Sequence, residues 1–417
     1  MAARIVLTTF GSLGDLHPFL ALGLGLKARG HAVALATHEY YRSKIETAGL
    51  GFFPVRPNAS PDDRELVAHA MDLKKGPERV LREIVLPVLR ESYTDLLAAA
   101  RGADFLVSHP LTFAAPVIAE VLGIRWTSVV LTPMGFFSAF DPPVFPAYPG
   151  LARLRALGPR VNRWAMDFGR RTVLPWTEPV QRLRADLGLP PGANPLFEGQ
   201  YSPHLVLALF STVFGAPQPD WPPRTVQTGF LFYDRHDGQD ELTAEVENFL
   251  AAGEPPLVFT LGSAAVLTPG DFFAASAAAA QQLGRRAVLV GAEPQAGLPP
   301  SILTVPYAAY SRLFPRAAAI IHQGGIGTTG QALAAGRPML VVPFSHDQPD
   351  NAARLVRLGV ARTLRRDRFT APRAAGALRA LLAGAAAERA ATAGEQVRRE
   401  DGLAAACGAI ERVLAAP

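Results

Sequence analysis

AAIIHQGGIGTTGQALAAGRPMLVVPFSHDQPDNAARLVRLG, residues 318–359, is the stretch whose reading decides the fold. It opens on AAIIH (318–322), a short apolar run with the length of a buried strand. Gly324, Gly325 and Gly327 follow, and glycine lets a backbone turn tightly and approach a ligand closely. Thr328 and Thr329 stand where a helix begins. PMLVVPF (338–344) is a second strand, followed by a turn and a second helix. A helix amino end offers unpaired N–H groups and a partial positive charge, which suits phosphate. His322, at the strand end, adds a donor aimed at the same place. A Gly-Gly-x-Gly-Thr turn alone requires no more than a φ above zero. With His322 before it and Asp347-Gln348 after the next strand, it points to a ligand.

The same alternation extends outward. LVFTLGS (257–263) and RAVLVG (286–291) precede it as strands of one series. An earlier series holds RIVLTTF (4–10), HAVALAT (31–37), DFLVSH (104–109), RWTSVVL (125–131) and HLVLALF (204–210). Pro18, after the loop GSLGDLH, is read as the start of the first helix. Near-continuous apolar strands alternating with helices predict parallel sheets covered on both faces. The sequence therefore predicts two doubly wound, Rossmann-like α/β domains facing across a cleft. The first covers 1–214 and the second 226–395, joined by a Pro- and Gly-rich linker at 215–225. Residues 396–417 are expected to pack back on the first domain. Ligands of such sheets bind beyond the carboxyl ends of the strands.

Composition narrows the class. The 417 residues carry a net charge of +5, but only 18% are charged. The sole lysines are Lys27, Lys44, Lys74 and Lys75. No basic run suggests nucleic acid as a partner. A 49% hydrophobic content and a mean hydropathy of +0.15 exclude a mostly disordered chain. No apolar stretch reaches the roughly 18 residues that span a bilayer. Ile5–Phe10 is too short for the apolar part of a secretory signal. Cys407, the one cysteine, has no partner for an internal disulfide. The expectation is a cytoplasmic α/β protein.

Residues 133–165 differ from the rest. Phe136, Phe137, Phe140, Phe145, Tyr148 and Trp164 are interspersed with Pro133, Pro142, Pro143, Pro146, Pro149 and Pro159. The prolines argue against a strand. The aromatics either pack on the first domain or form a wall for an apolar ligand, and contact with a membrane surface stays open as an alternative.

The 318–359 stretch resembles the donor-binding signature of family 1 glycosyltransferases, through His322…Thr328, Gly336-Arg337-Pro338 and Asp347-Gln348. The likeness continues in GSLGDLHP (11–18), TLGS (260–263) and VPYAAYSRLFPRAAAIIH (305–322). In pattern the chain is similar to the bacterial rhamnosyltransferase chain of rhamnolipid synthesis and to bacterial sterol and antibiotic glucosyltransferases. The resemblance implies the GT-B fold, with an acceptor-binding first domain and a nucleotide-sugar-binding second domain. It implies that Ser263, His322, Gly325, Gly327 and Thr328 hold the donor diphosphate, and Asp347 and Gln348 the sugar. Tyr307 would stack on the base. Gln331 stands where many relatives have a ribose-binding glutamate. Asp15, three residues before Pro18, would be the general base, and otherwise caps the following helix. His109, Phe136, Phe137 and Phe140 are assigned to the acceptor.

The reaction so implied is inverting transfer of a hexose, glucose or rhamnose, from a UDP- or dTDP-sugar to a hydroxyl of an apolar small molecule or lipid. The nucleotide sugar is a co-substrate, and no other cofactor is expected. No Asp-x-Asp motif is present, so no metal is expected either. Two rivals remain: a nucleotide-sugar epimerase of the same fold, and a non-catalytic nucleotide-sugar-binding subunit. Neither the acceptor nor the oligomeric state is legible.

Overall fold

The computed structural model describes residues 2–60, 63–234, 241–293 and 297–416. The chain divides into two units. The first comprises Met1–Leu66, Lys74–Tyr233 and Asp401–Pro417; the second comprises Val67–Leu73 and Asp234–Glu400.

Among the described residues, the first unit holds β1 (Arg4–Thr8), β2 (Ala32–Thr37), β3 (Gly51–Pro54), β4 (Phe105–Ser108), β5 (Arg125–Val130), β6 (Leu205–Ala208) and β7 (Thr225–Gln227). They form one sheet in the order β3-β2-β1-β4-β5-β6-β7. Every neighbouring pair is parallel, with Leu7 registered against Leu35 on one side and Val107 on the other. Ile5, Val6 and Leu7 are fully buried, as are Phe105, Leu106 and Val107. This follows from their apolar run, since a central strand with helices on both faces has no wet side.

The second unit holds β8 (Leu257–Thr260), β9 (Ala287–Val290), β10 (Ile302–Val305), β11 (Ala319–His322), β12 (Met339–Val341) and β13 (Ala361–Thr363). Their order is β10-β9-β8-β11-β12-β13, again all parallel. In each sheet the chain winds outward from the first strand, then returns beside it and winds the other way. The reversal lies between β1 and β4 in one sheet and between β8 and β11 in the other. Crevices at such reversals are where doubly wound sheets take ligands.

The first helix runs Leu13–Ala28, so it starts ahead of Pro18, which lies inside it. Ser12 explains the earlier start. Its hydroxyl accepts from the Gly14 N–H, while Asp15 accepts from the Ser12 N–H, a reciprocal cap. The 215–225 stretch is not a free spacer. Gln227 donates from Nε2 to the carbonyls of Phe210 and Gly215, and Thr225 already belongs to β7. Apart from Val67–Leu73, the chain passes into the second unit after Tyr233. The helix Gly402–Ala415 lies on the helix Leu13–Ala28. Their approach is close at Gly25, where a Cβ would stand 2.7 Å from Leu403 Cδ1 and 3.0 Å from Cys407 Sγ.

Candidate functional site

The loop leaving β1 carries Asp15. Gly11 has φ +131°, and a Cβ there would stand 2.3 Å from Asp15 Oδ2. Only glycine lets the carboxylate fold back against this turn. Two side chains beyond β2 hold the loop. Tyr41 donates its hydroxyl to the Gly11 carbonyl at 3.1 Å, and His38 Nε2 accepts from the Gly11 N–H at 3.4 Å. The His38 ring also stacks on Phe10 with centroids 4.6 Å apart. Burial pushes the His38 pKa down to about 4, which keeps the imidazole neutral and able to accept.

Asp15 Oδ2 accepts from the Ser12 N–H at 2.8 Å and lies 3.3 Å from the Ser12 hydroxyl. Asp15 Oδ1 lies 3.3 Å from His109 Nε2, although 94 residues separate the two in sequence. His109 follows β4, the strand beside β1, so the sheet order brings the pair together. His109 Nδ1 accepts from the Leu111 N–H at 3.2 Å. The ring proton therefore sits on Nε2 and is donated to Asp15. The His109 side chain is 5% exposed and that of Asp15 31%. Asp15 thus caps its helix and also presents a wet, oriented carboxylate at the reversal. His17 lies with its ring against Tyr233, and burial pushes its pKa down to about 3.

The expected aromatic wall separates into two kinds of residue. Phe136 is 5% exposed and stacks on Trp221 with centroids 4.1 Å apart, with Tyr201 and Phe210 around it. It is a packing residue here, because the chain after β5 turns it inward against the 201–221 segment. Phe137, half-buried with a φ of +48°, lies near Phe145 and Phe197. Phe140 is 42% exposed, and Tyr148, Trp164 and Phe168 are more exposed still. A cavity lined by Phe10, Val55, Leu89 and Leu111 near the reversal has only about 20 Å³. That falls far short of the roughly 300 Å³ that ligand pockets begin at.

In the second unit His322 ends β11 at zero exposure. Its Nδ1 accepts from the Gly324 N–H at 3.1 Å, so its proton sits on Nε2, which has no partner. Burial pushes the pKa down to about 3. The ring is a neutral N–H donor. Gly324 has φ +93°, and a Cβ there would meet Val341 Cγ1 at 2.8 Å. Gly325 is the N-cap of the helix Ile326–Ala335, whose first N–H groups have no partner within the helix, and Gly327 in its first turn is exposed. Ser263 follows β8 after Gly262, where a Cβ would stand 2.3 Å from Gln323 Nε2 and 3.5 Å from Thr328 Oγ1. The loops after β8 and β11 thus converge on Gln323 and Thr328.

The loop after β12 joins them. Gln348 Oε1 accepts from the N–H groups of Phe344 and Ser345 at 2.7 and 3.1 Å. Asn351 Nδ2 donates to both Asp347 Oδ2 and the Gly324 carbonyl, at 2.7 and 2.8 Å. Asn351, which the sequence reading missed, ties the Asp347 loop to the glycine turn. Its signal was its place one helical turn after Asp347. Tyr307 follows the edge strand β10, with its hydroxyl 3.4 Å from Asp234 Oδ1. Gln331 is half-buried in the second turn of the Ile326–Ala335 helix. Ser263, His322, Gly325, Gly327, Thr328, Asp347 and Gln348 therefore lie at or just beyond the carboxyl ends of three adjacent strands, β8, β11 and β12. Tyr307 enters from the sheet's far edge.

Comparison with known proteins bears on this arrangement. Residues 5–126 match the glycosyltransferase family 28 N-terminal domain, and residues 290–409 match the erythromycin biosynthesis protein CIII-like C-terminal domain. The chain is 36% identical to the O-mycaminosyltylonolide 6-deoxyallosyltransferase of Streptomyces fradiae, over 98% of this chain and 97% of that protein. In fold it is similar to the spinosyn forosaminyltransferase SpnP, with a TM-score of 0.74, 18% identity and full coverage of both chains. It is also similar to the spinosyn rhamnosyltransferase SpnG complexed with thymidine diphosphate. There the TM-score is 0.69 at 18% identity, covering 99% of this chain and all of that one.

Proposed function

The chain belongs to the GT-B glycosyltransferases of the antibiotic and sterol type, and on that premise we propose that it moves a hexose from a thymidine diphosphate donor to a hydroxyl of an apolar, macrolide-like acceptor. The preference for a thymidine donor rests on SpnG, and that for a macrolide-like acceptor and a deoxyhexose on the Streptomyces fradiae relative. UDP-sugars and glucose are the alternatives to be tested against them.

The observation that carries the reading is the Asp15–His109 pair. A carboxylate has about four lone-pair sites. Ser12 N–H, Ser12 hydroxyl and His109 Nε2–H lie beside three of them. One site on Oδ1 stays open for an acceptor O–H. Asp15 need not ionise an alcohol in advance; it takes the proton as the new C–O bond forms. Attack opposite the leaving diphosphate inverts the anomeric centre. The diphosphate is met by the His322 Nε2–H and the amino end of the Ile326–Ala335 helix, preorganised donors that do not reorient during the reaction. Asp347 and the amide of Gln348 hold sugar hydroxyls. Phe137 and Phe140 contribute to the acceptor side.

The test is a matrix of donors (dTDP-glucose, dTDP-rhamnose, UDP-glucose) against macrolide, sterol and phenolic acceptors. Products are identified by mass spectrometry and their anomeric configuration by NMR. An acceptor glycoside of inverted configuration is expected. Epimerised donor without acceptor would convert the reading to an isomerase. Absence of turnover with every pair, together with tight dTDP binding, would leave a binding subunit.

A further inference from the structure

A short piece from the first half of the chain is built into the second unit. Val67–Leu73 is assigned to that unit although the chain on either side of it belongs to the first. Met71 is 5% exposed and joins the core that contains Phe272, Phe344 and Phe369, with Val67 packed against the same cluster. Val67 and Met71 are four residues apart, and the Met71 N–H donates to the Val67 carbonyl, so both fall on one helical face. The next residue makes a polar contact. The Asp72 carbonyl accepts from Ser345 Oγ at 2.8 Å, and Ser345 is fully buried.

Ser345 is a strategic partner. Its own N–H donates to Gln348 Oε1, alongside that of Phe344. The following residue, His346, has φ +56°, uncommon for a non-glycine residue, and Asp347 comes next. The loop is therefore pinned by Asp72 at Ser345, by Gln348 from within, and by Asn351 at Asp347, while Phe344 shares its core cluster with Met71. Arg366 covers Phe344 with its guanidinium 4.1 Å from the ring centroid and donates to the Thr268 carbonyl.

We infer that Val67–Leu73 is a positioning element for donor-sugar recognition: it holds Phe344 and Ser345 so that Asp347 and the Gln348 amide face the sugar. The inference rests on the assignment of Asp347 and Gln348 to the sugar. Its consequence is selective. A loosened 344–348 loop weakens the grip on the hexose and leaves the nucleotide diphosphate, held at the glycine turn, as before.

The experiment uses the full-length enzyme with Ser345→Ala, Met71→Ser and Gln348→Ala. Calorimetry measures affinity for dTDP and for the dTDP-hexose that the donor matrix selects, and steady-state kinetics gives KM for donor and acceptor. Ser345→Ala deletes one hydroxyl and tests the contact if Met71→Ser proves unstable. Both are expected to weaken dTDP-hexose about tenfold, the scale of one lost hydrogen bond. Affinity for dTDP should stay within about twofold, and acceptor KM should not move. Equal loss of dTDP and dTDP-hexose, or no loss of either in a folded variant, overturns the inference. Gln348→Ala separates the two levels. If it spares sugar discrimination, the sugar-site assignment fails and takes the inference with it. If it abolishes discrimination while the other two variants keep it, only the positioning role fails.

Discussion

Replacing His109 by Ala removes one N–H from Asp15 Oδ1 and nothing from Oδ2, which keeps its bond to the Ser12 N–H. Hydrogen bonds to charged groups contribute about 1.5–3 kcal/mol. The 3.3 Å separation and the 31% exposure of the Asp15 side chain place this one at the low end. A loss of about 1.4 kcal/mol in the transition state is tenfold in rate. His109→Ala should therefore lower kcat about tenfold. Asp15→Asn should lower it by about 10²–10⁴, the usual contribution of a general base. The amide oxygen of Asn can still accept from Ser12, so the helix cap costs at most about 1 kcal/mol. His109 acts only through Asp15 on this account, so the two losses should not add. In the Asp15→Asn background, His109→Ala should slow the enzyme by less than about twofold. The assay is kcat at saturating donor and acceptor, with dTDP affinity from calorimetry and Tm as controls. Full additivity, or an unchanged kcat for His109→Ala, would refute the coupling. Near-normal turnover of folded Asp15→Asn would remove Asp15 as the base.

Gly324→Ala must put a Cβ 2.8 Å from Val341 Cγ1 at φ +93°, so it should cost about 2–4 kcal/mol of stability and most of the dTDP affinity; a calorimetric titration showing wild-type affinity would contradict the donor-site geometry. His322 stays neutral down to about pH 3 while the unfolded imidazole protonates near 6.5, so its stability contribution is complete above pH 6.5 and is lost as pH falls toward 3. At pH 5 the loss is about 2 kcal/mol, and His38 in the first unit gives a similar loss that ends near its own value of about 4. Thermal melts between pH 8 and 4.5 check this, and His322→Gln should flatten the curve for the second unit. Phe136→Ala should cost about 3–5 kcal/mol with acceptor KM unchanged, whereas Phe140→Ala should leave Tm alone and raise KM for apolar acceptors; the opposite pattern would return Phe136 to the acceptor side. If uncharged donors at the glycine turn meet the diphosphate as proposed, chelation with EDTA should not change the rate; a loss restored by Mg²⁺ would refute that reading.

What could be read from the sequence followed burial. β1, β4, β8, β9 and β11 are covered on both faces, and a strand with no wet side must be written almost wholly in apolar residues. The edge strands β3, β7, β10 and β13 were missed. Gly51–Pro54 and Thr225–Gln227 are partly open, and two residues of Ala361–Thr363 are exposed, so they carry no continuous apolar run. The glycine turn was legible for a related reason. His322, Gly324 and Thr328 lie within seven consecutive residues, so one strand-to-helix connection sets their geometry. The Asp15–His109 contact had no such local record. Asp15 alone reads equally well as a cap, and the structure shows it capping. Its contact with His109 appears only because β4 returns beside β1, a choice made by how the whole sheet buries its strands. Phe136 and Phe140 make the converse point. They have the same side chain and are four residues apart, yet Trp221, distant in sequence, covers one and leaves the other in water. Chemistry held within one connection can thus be read from residue order, while chemistry shared between connections waits on strand order.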